Sequence, residues 1–93
     1  MITINVGEAT DERSLHSLLK EELGFPDFYG ANWDAFWDAI TGLVAIPDRL
    51  RFIGWDALAE RVPRGAEMLQ RALALYSAEV SSGFVAEYVS GDV

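Results

Sequence analysis

Three short runs rich in β-branched and aromatic residues are each separated from the next by two helical segments, and this order restricts the fold more than any other feature. Ile2 to Val6 alternates apolar and polar residues and ends at Gly7, the pattern of a strand with one buried face. Leu50 to Ile53 and Phe84 to Val89 read as two further strands. Between the first pair, a helix capped by Thr10 or Asp11 runs to about Leu23, with Glu12 in its first turn. Leu15, Leu18, Leu19 and Leu23 form its buried stripe, and Gly24 ends it. A shorter helix over 33–42 follows. Between the second pair lie Trp55 to Arg61, stopped by Pro63, and Gly65 to Val80, where Met68, Leu69, Ala72, Leu73, Tyr76 and Val80 keep core spacing. Strands joined through helices favour parallel pairing with right-handed crossovers. The expectation is one domain over 1–93 of the α/β class: a three-stranded parallel sheet packed with four helices, mostly on one face. Gly91 to Val93 reads as a tail.

Residues 26–42, PDFYGANWDAFWDAITG, carry the densest chemistry. Pro26 stiffens the approach, Gly30 is expected to supply an unusual backbone angle, and Asn32 is a good N-cap. Gly42 stands where a helix C-terminal glycine belongs. On a helical wheel Trp33, Phe36, Trp37 and Ile40 share one stripe, while Asp34, Asp38 and Thr41 share the adjoining one. Asp34 lies in the first turn, where the helix dipole favours a negative charge. Asp38 sits one turn beyond a like charge, which costs about 0.2–0.5 kcal/mol in an isolated helix. Local stability does not ask for it; a cation on another molecule would.

The net charge is −8, and it is uneven. Residues 1–40 carry eight acids against Arg13 and Lys20, whereas 41–93 carry seven acids against five arginines. Such a field repels nucleic acid and anionic membranes and speeds encounter with basic partners; it also serves plain solubility. Half the residues are apolar, which is enough for a core. Without cysteine there is no disulfide framework and no thiolate chemistry. The first ten residues lack the basic start and apolar run of a signal peptide, and no stretch approaches the roughly 20 apolar residues that span a bilayer.

Enzymatic readings fare poorly. His16 is the only histidine and lies beside a leucine stripe, where a structural role is expected. No GxGxxG, Walker loop or HExxH occurs. Asp27 to Asp38 has the length of a calcium loop, but Tyr29, Ala31 and Asn32 occupy the positions that should be ligands and glycine. Asp34 and Asp38 as a glycosidase pair would lack the walled cleft that raises one carboxyl pKa. No metal or cofactor is expected. Two readings of the stretch stay open on physics alone: an interface of aromatic anchors with charge for register, or ordinary core tryptophans beside a solvated face.

Leu23 to Gly42, LGFPDFYGANWDAFWDAITG, resembles the central motif of the barstar family of intracellular ribonuclease inhibitors. The flanks follow it more loosely: the opening strand with Gly7-Glu8, Leu15-His16, Pro47, Gly65-Ala66-Glu67 and the closing strand. The resemblance implies a barstar-like fold of three parallel strands and four helices. It also implies a one-to-one inhibitor of a small, basic, secreted ribonuclease of the guanyl-specific class, acting in the cytoplasm, with no nucleic-acid or membrane partner. Carried over by position, Asp38 takes the place of the substrate phosphate and Asp34 pairs with a second basic group. Phe28 matches a family tyrosine that stacks on the catalytic histidine. The expected ribonuclease-binding residues are Phe28, Tyr29, Gly30, Asn32, Trp33, Asp34, Trp37, Asp38, Thr41, Gly42, Leu43 and Val44. Three positions depart from the pattern. Phe28 lacks a hydroxyl, and Leu43 replaces a tryptophan. On the last helix Leu75 falls where an interfacial glutamate belongs, with Glu79 one turn later. The other reading consistent with the resemblance is an interaction or antitoxin module that binds a different basic protein.

Overall fold

The computed structural model describes residues 1–90; the tail read at 91–93 lies outside them. Its elements are β1 (Ile2–Asn5), α1 (Glu12–Leu23), α2 (Trp33–Asp38), β2 (Arg49–Ile53), α3 (Trp55–Arg61), α4 (Pro63–Glu79) and β3 (Val85–Val89). The strands form one parallel sheet in the order β1-β2-β3, with Ile4 opposite Phe52 and Phe52 opposite Tyr88. The α/β expectation of three parallel strands and four helices therefore holds.

The pleat sorts the sheet into two unlike faces. Ile4, Leu50 and Phe52 point one way and are buried, with Ala86 and Tyr88 half-buried beside them. Leu15, Leu19, Leu58, Leu69 and Leu73 of the helices complete the same core. Phe52, Tyr88 and Trp55 make an aromatic cluster there, with the Phe52 and Tyr88 rings stacked at 5.8 Å. The opposite face carries Thr3, Asn5, Arg51 and Glu87, the last two paired at 3.3 Å, together with Ile53, Val85 and Val89. A parallel sheet with one solvated face needs such polar residues, because unlike most parallel sheets it is not sandwiched between helices.

Local chemistry sets the boundaries. β1 stops before Val6 because the Asn5 side chain accepts the Gly7 N–H at 3.1 Å and starts a 3₁₀ turn over Val6–Glu8. Of the two candidate caps for α1 it is Asp11 that serves: it accepts the Ser14 N–H at 2.7 Å while Ser14 Oγ receives the Asp11 N–H. Gly24 closes α1 in the left-handed region at φ 73°. Gly54 has the same φ, and a Cβ there would lie 2.8 Å from Gly7 N, so the β2–α3 turn admits only glycine. Two helical expectations are corrected. α4 starts at Pro63, which suits the first helical position because it needs no N–H donor. It ends at Glu79, leaving Val80 50% exposed rather than in the core stripe.

Candidate functional site

Residues 24–32 lead from α1 to α2 over a buried aromatic support. Phe25 is buried against Tyr29 and Phe36. The Tyr29 N–H donates to the Pro26 carbonyl at 3.0 Å, closing a turn whose tip carries Phe28, 75% exposed. Tyr29, the next residue, turns inward. Its hydroxyl is hydrogen-bonded to His16 Nδ1 at 2.6 Å. Burial raises the Tyr29 pKa and holds that of His16 below its ordinary 6.5, against a smaller opposing pull from Glu12. His16 is thus the structural histidine expected of it.

The unusual backbone angle is not at Gly30. It is one residue later, at Ala31, with φ 52°. A non-glycine residue in the left-handed region costs on the order of 1 kcal/mol, and the next residue holds it there. Asn32 Oδ1 accepts the Ala35 N–H at 2.7 Å as the N-cap of α2, while its Nδ2 donates back to the Gly30 carbonyl at 3.3 Å. At Gly30 the constraint is space: a Cβ there would lie 3.3 Å from Asn32 Nδ2, close enough that the cap side chain would have to give way slightly.

α2 presents two contrasting sides. Phe36 and, just beyond the helix, Ala39 and Ile40 are buried; Trp33 and Trp37 are half-buried. Trp33 stands over His16 with ring centroids 4.3 Å apart and donates its indole N–H to Glu12 Oε1 at 2.9 Å. Glu12 is held in turn by Arg64 of α4 at 2.7 Å. The Trp33 N–H, and after it the Arg64 guanidinium, keep the Glu12 carboxyl below the usual carboxylate range. On the outer side Asp34 and Asp38 are exposed one turn apart. Among the described residues neither carboxylate has an ion pair or a hydrogen-bond partner.

Beside this row an open groove of about 500 Å³ separates α2 from α4. Trp33, Asp34, Trp37 and Asp38 line it from one side, and Met68, Arg71, Ala72 and Leu75 from the other. Arg71 lines the same groove as the two aspartates, yet its ion pair is with Glu67 on its own helix, at 3.5 Å.

After Asp38 the helix widens into a π-helical turn over Ala39–Leu43, closed by the Val44 N–H on the Ala39 carbonyl at 3.0 Å. Gly42 lies inside this turn and has no positive φ, so it is not the left-handed cap that was expected. Thr41 is exposed, its hydroxyl donating to the Trp37 carbonyl at 2.7 Å. Leu43 is 49% exposed, and Val44 packs against the core. Phe28, Asp34, Asp38, Thr41, Gly42 and Leu43 are therefore exposed along the loop and helix, whereas Tyr29, Trp33, Trp37 and Val44 support them from beneath. Among the described residues no group of three or more His, Asp or Glu side chains is placed to hold a metal ion.

The pattern of the family described as Barstar (barnase inhibitor) matches residues 1–89. This chain belongs to the barstar family. It is also similar to a protein of Bacillus subtilis (strain 168) named Putative ribonuclease inhibitor YrdF, with 58% identity over 33 residues. That stretch covers 36% of this chain and 36% of the relative's length. Within this barstar-family fold, no helix among the described residues is long and apolar enough to cross a membrane.

Some parts of the site had no local signal. Glu12 and Trp33 are 21 positions apart, and the Glu12–Arg64 contact spans 52, so no helical spacing could join them. The α4 wall of the groove was visible only as Leu75, a residue out of place against the family pattern.

Proposed function

We propose that this protein, acting as one domain, inhibits a small basic ribonuclease of the guanyl-specific class by plugging its active site one to one. Phe28 and the loop to Gly30 enter the cleft beside α2. Asp38 stands in for the substrate phosphate, Asp34 pairs with a second cation at the rim, and Thr41, Gly42 and Leu43 extend the contact. In this reading the protein catalyses nothing and guards the cytoplasm of the cell that makes the enzyme.

One observation carries the reading: two carboxylates held a turn apart on a short, capped, tryptophan-backed helix, with no partner among the described residues. An enzyme that binds RNA phosphate concentrates cationic donors in its cleft. A carboxylate delivered there forms charge-assisted hydrogen bonds. Because the helix is already built and buttressed, little ordering is required on binding. The net charge of −8 steers the protein toward a basic enzyme.

The test is a titration of RNA cleavage by a panel of small secreted ribonucleases. Complete inhibition of at least one of them at a one-to-one ratio is expected. Failure against the whole panel, with binding to a basic protein that does not cleave RNA, would favour the antitoxin reading instead.

A further inference from the structure

The groove between α2 and α4 says more about the partner than the acidic row alone. This step rests on the ribonuclease reading and extends it to the enzyme's rim. The two walls differ in sign: Asp34 and Asp38 stand on α2, and Arg71 on α4. Between them the lining is apolar, with Trp37, Ala72 and Leu75. Leu75 is 45% exposed although it faces a groove and not a loop edge. Among the described residues Arg71 is held only by an exposed pair to Glu67, at 3.5 Å with side chains 71% and 67% accessible. Such a pair contributes little and leaves the guanidinium available to another carboxylate.

We infer that the partner seats an apolar side chain in this groove, with basic residues over Asp34 and Asp38 and a carboxylate opposite Arg71. Charge complementarity selects this occupant. A rim that is basic throughout would meet Arg71 with like charge, and a rim that is polar throughout would leave Leu75 and Trp37 against unpaired groups. An apolar residue with a base on one side and an acid on the other satisfies all three parts of the lining. The groove then decides which of several basic ribonucleases is bound, while the aspartates serve any of them.

The experiment uses a ribonuclease inhibited by the unaltered protein and measures Kd for Arg71→Glu and Leu75→Ala, with unfolding midpoints as a control. Leu75→Ala is expected to weaken binding about tenfold with the midpoint little changed. Arg71→Glu is also expected to weaken binding, by about tenfold, although it makes an acidic inhibitor of a basic enzyme more acidic. Tighter binding by Arg71→Glu would mean a basic rim and overturn the inference. So would indifference to both changes, with the ribonuclease reading left standing. A free protein that dimerises, and stops doing so in Leu75→Ala, would assign the groove to a second copy and overturn it as well. If no ribonuclease is inhibited at all, the underlying reading fails and this one falls with it.

Discussion

The two sides of α2 handle polar groups in opposite ways. On the inner side the polar groups are tied into the fold: the Trp33 indole by Glu12, Glu12 by Arg64, and the Tyr29 hydroxyl by His16. On the outer side Asp34 and Asp38 have no partner among the described residues. Trp33 and Asp34 are neighbours on one short helix, so the contrast lies in which way each side chain faces. It separates groups that hold the helix in place from groups the helix holds out. Substitutions on the inner side should therefore move stability and binding together, and those on the outer side should move binding alone.

The largest effect is expected at Asp38. Asp38→Ala should weaken ribonuclease binding by on the order of a hundredfold or more, a general range for truncating one member of a buried charge pair to which complexes of the barstar family themselves contributed. Its unfolding midpoint in urea should match or slightly exceed that of the unaltered protein, since an exposed carboxylate with no partner among the described residues supports nothing inside the fold and its removal relieves the like charge at Asp34. A lowered midpoint would erase the distinction between the two sides. Next is Tyr29→Phe, which strands the His16 nitrogen in a buried site and should destabilise the protein by about 1–3 kcal/mol, read from the same urea curves. Binding should fall with it as the loop below Phe28 loosens.

A smaller and purely kinetic effect is expected at Asp34. Asp34→Asn should slow association a few-fold and flatten its dependence on salt, with dissociation less affected, in stopped-flow mixing at varied ionic strength. The least effect concerns pH. Burial lowers the His16 pKa, so the folded state binds a proton less readily than the unfolded chain. Its contribution to stability is full above the unfolded value of about 6.5 and is lost as pH falls through the lowered folded value. Urea midpoints between pH 7.5 and 5 should decline less steeply in His16→Asn than in the unaltered protein. Equal slopes would show that the inner side does not hold the imidazole neutral.

What could be read from the chain follows the same division. Caps and stripes are local: Asp11, Gly24, Asn32 and the leucines of α1 announce their elements within four positions of themselves, and the strand–helix order implied the parallel sheet. Tolerance, however, is not requirement. Gly30 and Gly42 are free to adopt positive φ, but the left-handed residue is Ala31, held by the Asn32 cap, and Gly42 sits in a widened helical turn. The inner network was illegible because its partners come from α1, α2 and α4, and only the assembled fold brings them together. That Asp38 serves something outside its own helix could be argued early, since its like-charged neighbour made it locally unfavourable.

The central claim is that the Asp38 carboxylate occupies the place of an RNA phosphate. The direct measurement is the Kd for an inhibited ribonuclease as guanosine 3′-monophosphate is added at constant ionic strength. A competitive rise in apparent Kd is expected, linear in nucleotide and doubled when the enzyme's own site is half filled, because phosphate and carboxylate cannot share one cationic pocket. An affinity that stays flat while the nucleotide saturates the enzyme would place Asp38 elsewhere and contradict it.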